Sequence, residues 1–375
     1  MKILICELYK ALVKQKAIFF ILIFALIKLV FLFSSSGYSV EITEQNKILY
    51  KEYLMHVNGM LTDDKEDFIE SEKLKIDRAA SEKDNINNNY INGKISEEDY
   101  ILKIQNIDSS LKKSDAFKIL YDQYLFVKQN PTERYFLYIN GWNNFLSNEN
   151  LDIILVILLL IVITPIFTKE YEKDMIPLII TSKKGKILVP VSKLIAAGVI
   201  TVFAALSFLI LEYLFFKIKY GLPFGSYPIQ SIPFFKTSQY DLSLEKAYLL
   251  ICVIKITGFL VFTCAISFVS VALKKTVISL FLCISSVLIP YFIFFNDSAK
   301  YELPLPLGFM IGNGYLRGTN VKDISKNVIG FSEVSRQSFM LEIVYLFILS
   351  TLFVITLILA FSKLSRKVGK KIENI

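Results

Sequence analysis

The residues with chemical potential in this chain are ionisable side chains, and they fall in two places. Lys28, Glu212 and Lys255 interrupt long apolar runs, where a charge is costly and by default marks a function. The other place is TKEYEKDMIPLIITSKKGK, residues 168–186, with five lysines and three acids in 19 positions between two strongly apolar runs. Lys28 and Glu212 lie near the ends of their runs, where a long side chain can snorkel to water or pair, Glu212 with Lys28 or with Lys255. Lys255 lies eight residues into its run, roughly 12 Å deep at the helical rise, and is the better candidate for lining a path. The acids of 168–186 need a reason beyond anchoring, because carboxylates add nothing to cytoplasmic retention.

Other chemistry is thin. The single histidine, His56, lies in the outer segment with no second histidine to cluster with, which argues against intramembrane metalloprotease and Ser/His/Asp catalysis alike. No G-x-x-x-x-G-K-[ST] occurs: SKKGKIL has a Gly-Lys but neither the earlier glycine nor the following hydroxyl. An ATP site of that type is therefore not expected in this chain, nor is an enzyme active site or a metal. The cysteines (6, 252, 264, 283) have neither disulfide nor metal spacing.

The elements that must position these charges are membrane helices. Hydrophobic residues make up 54% of the 375 positions, with 31 Phe and a mean hydropathy of +0.49. About 18 or more apolar residues suffice to cross the ~30 Å hydrocarbon layer. Six runs meet or approach that length: 17–33, 151–167, 187–216, 247–273, 276–295 and 343–361. The expected fold is an all-α polytopic membrane protein with six transmembrane helices. Residues 1–16 carry Leu4, Leu8 and Leu12 on one side and Lys2, Lys10 and Lys14 elsewhere, the spacing of an amphipathic helix lying on the membrane. Pro165, Pro190 and Pro290 are candidate kinks.

Lysine and arginine set the orientation. With both termini cytoplasmic, the internal segments carry 16 cations against five acids, while residues 34–150 carry 14 cations against 20 acids. The overall +8 thus adds two opposite faces, and a nucleic-acid partner has no motif to support it. Residues 34–150 read as a large extracytoplasmic helical domain, centred on a hairpin that turns at Asn92-Gly93. Its second helix follows the Ser96/Asp99 capping pattern and carries the stripe Tyr100, Ile104, Ile107, Leu111. ERYFLYINGWNNF, 133–145, gathers aromatics that suit the outer membrane interface. The Pro- and Gly-broken apolar segments 217–246 and 296–342 read as interfacial or re-entrant. Residues 362–375 form a basic cytoplasmic tail. In 168–186, KEYEKDMI is expected to form a short helix interrupted by Pro177.

FTKEYEKDMIPLIITSKKGKILVPVSK resembles the segment between spans two and three of the permease subunits of type-2 ABC transporters. In that family an acid leads a short coupling helix, followed by a Leu-rich, Thr/Ser and basic stretch and a Lys entering span three. Glu170, Leu178, Thr181, Ser182, Lys186 and Lys193 occupy those places. Asp174 departs from the small residue common there, and SKKGK from the frequent TP-x-S-R. The resemblance implies an ATPase-coupling role for these residues together with Glu172, Asp174, Lys183 and Lys184. It implies ATP and Mg bound by a partner ATPase subunit, with no cofactor in this chain, and a second permease copy or paralogue in a bacterial cell membrane. The cargo would be amphipathic or hydrophobic, such as an antimicrobial peptide, drug or lipid, with bacteriocin self-immunity one setting. Lys28, Glu212 and Lys255 would belong to the translocation path. The competing expectation is a non-transporting receptor or scaffold that binds a partner through the outer domain; a secondary transporter ranks third.

Overall fold

A membrane-embedded backbone must satisfy its own N–H and C=O groups, so the long apolar runs close into helices. The computed structural model describes residues 2–34, 44–181, 188–295, 306–317 and 343–355. Its elements are helical, and no named strand occurs among the described residues. In chain order, α1 (Lys2–Tyr9) runs into a π-helical turn (Lys10–Lys14) and is followed by α2 (Ala17–Ser34). Next come α3 (Glu44–Val57), α4 (Asp63–Ile91), α5 (Glu97–Leu111), α6 (Ser114–Lys128) and α7 (Ile139–Leu146). They precede α8 (Ile153–Glu172), α9 (Ile176–Thr181), α10 (Leu188–Tyr220), α11 (Leu244–Leu273), α12 (Thr276–Phe295) and α13 (Leu307–Ile311). A shorter apolar helix, α14 (Ile343–Ile355), closes the described chain.

Among these, α2, α8, α10, α11 and α12 are long and apolar enough to cross a membrane. The protein is therefore an all-helical chain with the features of a multi-pass membrane protein. The sixth expected span is represented by α14, and its remaining residues, with the basic tail, lie outside the described residues.

The chain divides into two units, one built on the long apolar helices and one on α3–α7 with residues 220–245. In the first, α8 is the central helix, with two thirds of its apolar window buried, and it packs against α2 and α12. Lipid tails are as apolar as leucine, so close packing holds such helices together. Ala197, Ala204 and Ala205 on α10 are buried where bulk would keep neighbouring backbones apart. Gly258 on α11 serves the same end: a Cβ there would lie 2.6 Å from the Met310 backbone nitrogen. Pro165 and Pro290 remain inside continuous helices, whereas Pro190 occupies the first turn of α10, where its missing N–H breaks no intrahelical bond. From the expected re-entrant segment 296–342, the described part, α13 and the turn Asn313–Leu316, is buried within this unit.

The second unit is helical through α3–α7 and also takes in residues 220–245. α4 and α5 form the expected hairpin, turning at Gly93 with φ +69°. Tyr90 stacks on Tyr100 at 4.3 Å, and Lys83 pairs with Asp108 at 2.8 Å. Its core, however, comes from α3, α4 and α6, where Tyr50, Leu54, Ile69, Phe117, Leu120 and Tyr124 meet. Two aromatic segments expected at the membrane surface instead fold into this unit. Trp142 is 1% exposed and donates to the Pro223 carbonyl at 2.7 Å. Within residues 220–243, Ile229–Ser231 and Pro233–Phe235 form short 3-10 turns, and Ile229, Ile232 and Phe235 are buried. Their apolar residues serve a protein core, which a hydropathy pattern alone does not distinguish from a lipid-facing surface. Burial and Glu72 push the Tyr53 hydroxyl up to about 12, and hydrogen bonds from Lys128 and Tyr124 hold Glu66 below the usual carboxylate range.

Candidate functional site

At its C-terminal end α8 outruns the apolar stretch by more than a turn, so Glu170 and Glu172 belong to the spanning helix itself. The expected helix over KEYEKDMI does not form. The chain breaks at 173–175, with Asp174 in the left-handed region at φ +52°, and restarts as α9. Pro177 falls in the first turn of α9 and starts it rather than interrupting it.

Glu170 is 4% exposed, and its two oxygens accept from Lys193 and Lys10. Lys193 is fully buried and also donates to the Ile166 carbonyl at 3.1 Å. One carboxylate thus ties α8 to α10 and to the N-terminal helical segment. A buried ammonium is tolerable only with such a partner. Two residues on, Glu172 accepts from the Thr276 backbone N–H at 2.7 Å, where α12 begins, and Thr168 meets the Thr276 hydroxyl at 2.6 Å. A carboxylate on the free N–H groups of a first turn is favoured by the helix dipole. Ala11 is buried beside this clamp, and Leu8 and Leu12 pack on the same core, while Ile5 and Tyr9 stay exposed.

The expected coupling residues therefore separate. Glu170 and Lys193 are internal ties, and neither offers its charge to a docking surface. Asp174 and Leu178 are exposed, Leu178 by 72%. Thr181 closes α9. Ser182, Lys183, Lys184 and Lys186 lie outside the described residues.

The second charge cluster stands at the other end of α8, since 18 residues separate Asp152 from Glu170, roughly 27 Å of helix. Lys28 Nζ lies 2.9 Å from Asp152 and 4.0 Å from Glu212. Asp152 also caps α8, accepting from the Leu155 N–H at 3.2 Å. Lys28, Glu212 and Lys255, marked out as isolated charges in three separate runs, line one cavity of about 580 Å3. Between the two clusters α10 and α11 are joined by a Thr201–Thr263 hydroxyl pair at 2.7 Å.

Asp152 and Lys10 are the residues sequence reasoning missed. Asp152 had a local signal, an aspartate immediately before an apolar run, the N-cap position. Lys10 had none, because its partner is 160 positions away. Among the described residues no group of three His, Cys, Asp or Glu side chains is placed to hold a metal ion. Compared with protein-family models and with curated protein sequences, the chain matches none.

Proposed function

We propose that the chain is the membrane-spanning permease subunit of an ATP-driven exporter, moved by a separate cytosolic ATPase that binds ATP and Mg. The observation that carries this reading is the junction at Glu170. An exposed turn and short helix, 173–178, follow directly on a carboxylate locked to α10 and to the N-terminal segment, with Glu172 locked to α12. A push on that turn reaches four helical elements at once, and rigid ties transmit displacement where a flexible loop would absorb it. The charge asymmetry of the sequence supports a cytoplasmic position for this end, with both termini inside, six spans and the second unit outside. A bacterial cell membrane and a second permease copy or paralogue belong to the same reading. Cargo would be amphipathic or hydrophobic.

The separate core of the second unit favours a second reading, a receptor or scaffold that binds its partner through α3–α7. Mild extraction from the native membrane, followed by identification of co-purifying chains, separates the two. The informative variant is Asp174→Lys with Leu178→Asp, because both side chains are exposed and neither belongs to the clamp. An ATPase retained by the wild type and lost from the correctly inserted variant is the expected result. Recovery of a partner through α3–α7 with no ATPase would replace the exporter reading with the receptor one.

A further inference from the structure

The cavity at the Asp152 end sets two cations against two acids but pairs them unevenly. Lys28 is committed to Asp152 at 2.9 Å, and Asp152 is committed to Lys28 and to the cap of α8. Glu212 is buried yet has only the 4.0 Å approach of Lys28, with no hydrogen bond among the described residues. Lys255, only half-buried, has neither an ion pair nor a hydrogen bond among the described residues, and lines the same cavity. Charged groups withdrawn from water ask for partners. Here one acceptor and one donor, of opposite sign, are left wanting together. Apart from Asn148 and Asn150, the rest of the lining is apolar, including Phe24, Phe31, Phe208, Leu209, Phe259 and Met310.

We propose that this cavity binds a single-chain zwitterionic amphiphile of the lysophospholipid class. Its ammonium would meet Glu212, its phosphate would meet Lys255, and its acyl chain would lie along the phenylalanines. A purely anionic head would leave Glu212 unmet and repelled, and a purely cationic head would do the same to Lys255. The volume falls within the ~300–1,000 Å3 of pockets that enclose one small ligand, a size for one chain rather than two. The inference deepens the transport reading by naming a cargo class, but binding depends only on this bundle, so it is tested without any ATPase.

The full-length chain in detergent is titrated with three single-chain amphiphiles of equal length, and bound ligand is counted by native mass spectrometry. The heads are phosphoethanolamine, phosphoglycerol and a simple amine. One phosphoethanolamine lipid per chain is expected, bound about tenfold or more tightly than either other head, as one charge-assisted bond gained implies. Glu212→Gln and Lys255→Gln should each weaken it by about the same factor. The exchange Glu212→Lys with Lys255→Glu, which keeps both signs, should retain more binding than either single variant. Equal binding of all three heads, or indifference to both single variants, overturns the proposal. Preference for the amine head with dependence on Glu212 alone overturns it in favour of a cationic peptide or drug. Should a single variant fail to fold, the head-group comparison on the wild type still decides. Absence of a co-purifying ATPase from the wild type, with lipid binding intact, would count against the exporter reading alone.

Discussion

Removing either half of the Glu170–Lys193 pair should destabilise the bundle, but unequally, and the order follows from what each partner has left. In Lys193→Met the remaining carboxylate keeps Lys10, whose side chain is about one third exposed. In Glu170→Leu the remaining ammonium is fully buried and keeps only the Ile166 carbonyl at 3.1 Å. Breaking a buried pair on one side costs about 3–5 kcal/mol. Lys193→Met belongs at the lower end of that range and Glu170→Leu at the upper. The double variant should be more stable than Glu170→Leu alone, because no buried charge is left unanswered. The assay is thermal unfolding in detergent in a Cys6→Ser background, followed with a fluorogenic thiol dye that reports exposure of the remaining cysteines, Cys283 being buried. A difference of 1–2 kcal/mol corresponds to several degrees for a domain of 150–250 residues, about 2–4 °C per kcal/mol. A reversed order, or midpoints for both single variants within a degree of the wild type, would refute the clamp as a tie between helices.

Four further outcomes can be checked. Asp152→Asn should retain the α8 cap and lose the Lys28 ion pair, whereas Asp152→Ala loses both, so the alanine variant should unfold first by about 1 kcal/mol. Gly258→Ala places a methyl group against the α13 backbone; overpacking of this kind costs about 1–3 kcal/mol, and occupancy of the neighbouring cavity should fall with it, read by the same mass-spectrometric titration. Tyr53 is held protonated to about 12, above its ordinary 10, so the folded chain keeps a proton that the unfolded chain gives up. The stability this contributes is complete below pH 10 and is lost as pH rises towards 12; Tyr53→Phe should flatten that slope, read from Trp142, the only tryptophan, which lies in the same unit. Glu66 shows the opposite sense: its depressed carboxyl contributes stability above the ordinary carboxylate range that is lost as pH falls through its folded value. Glu66→Gln should blunt this acid response of the same unit.

Helix existence was legible because its cause is local. The run 276–295 was delimited to the residue, and 17–33 to within one residue, because hydropathy changes abruptly at their ends. The extension of α8 through Glu172 was not legible. Its last turn is polar, and what keeps it helical is the ties of Glu170 and Glu172 to residues far along the chain. Apolar residues at 133–145 and 217–246 read as interfacial or re-entrant because hydropathy measures avoidance of water, not what replaces it. Trp142 meets protein, down to the carbonyl that accepts its N–H. For the candidate site, individual charges stand out by their apolar surroundings, and the Lys28–Glu212 approach is one of the two pairings the sequence offers for Glu212. That Lys255 shares their cavity depends on the packing of α2, α10 and α11, which no local pattern encodes.

The three-way tie at Glu170 also bears on how the chain is made. Lys10 is synthesised 160 residues before its carboxylate partner, and Lys193 follows 23 residues after it. Through the synthesis of the first span and all of α3–α7, Lys10 has only Glu7, three positions earlier, to answer its charge. That charge suits it to the lipid headgroups until α8 arrives. Glu170 in turn can be buried only once α10 has turned back beside α8, so completion of that helical pair locks the N-terminal segment in place. A nascent chain arrested before Lys193 therefore leaves Glu170 with Lys10 alone of its two cationic partners.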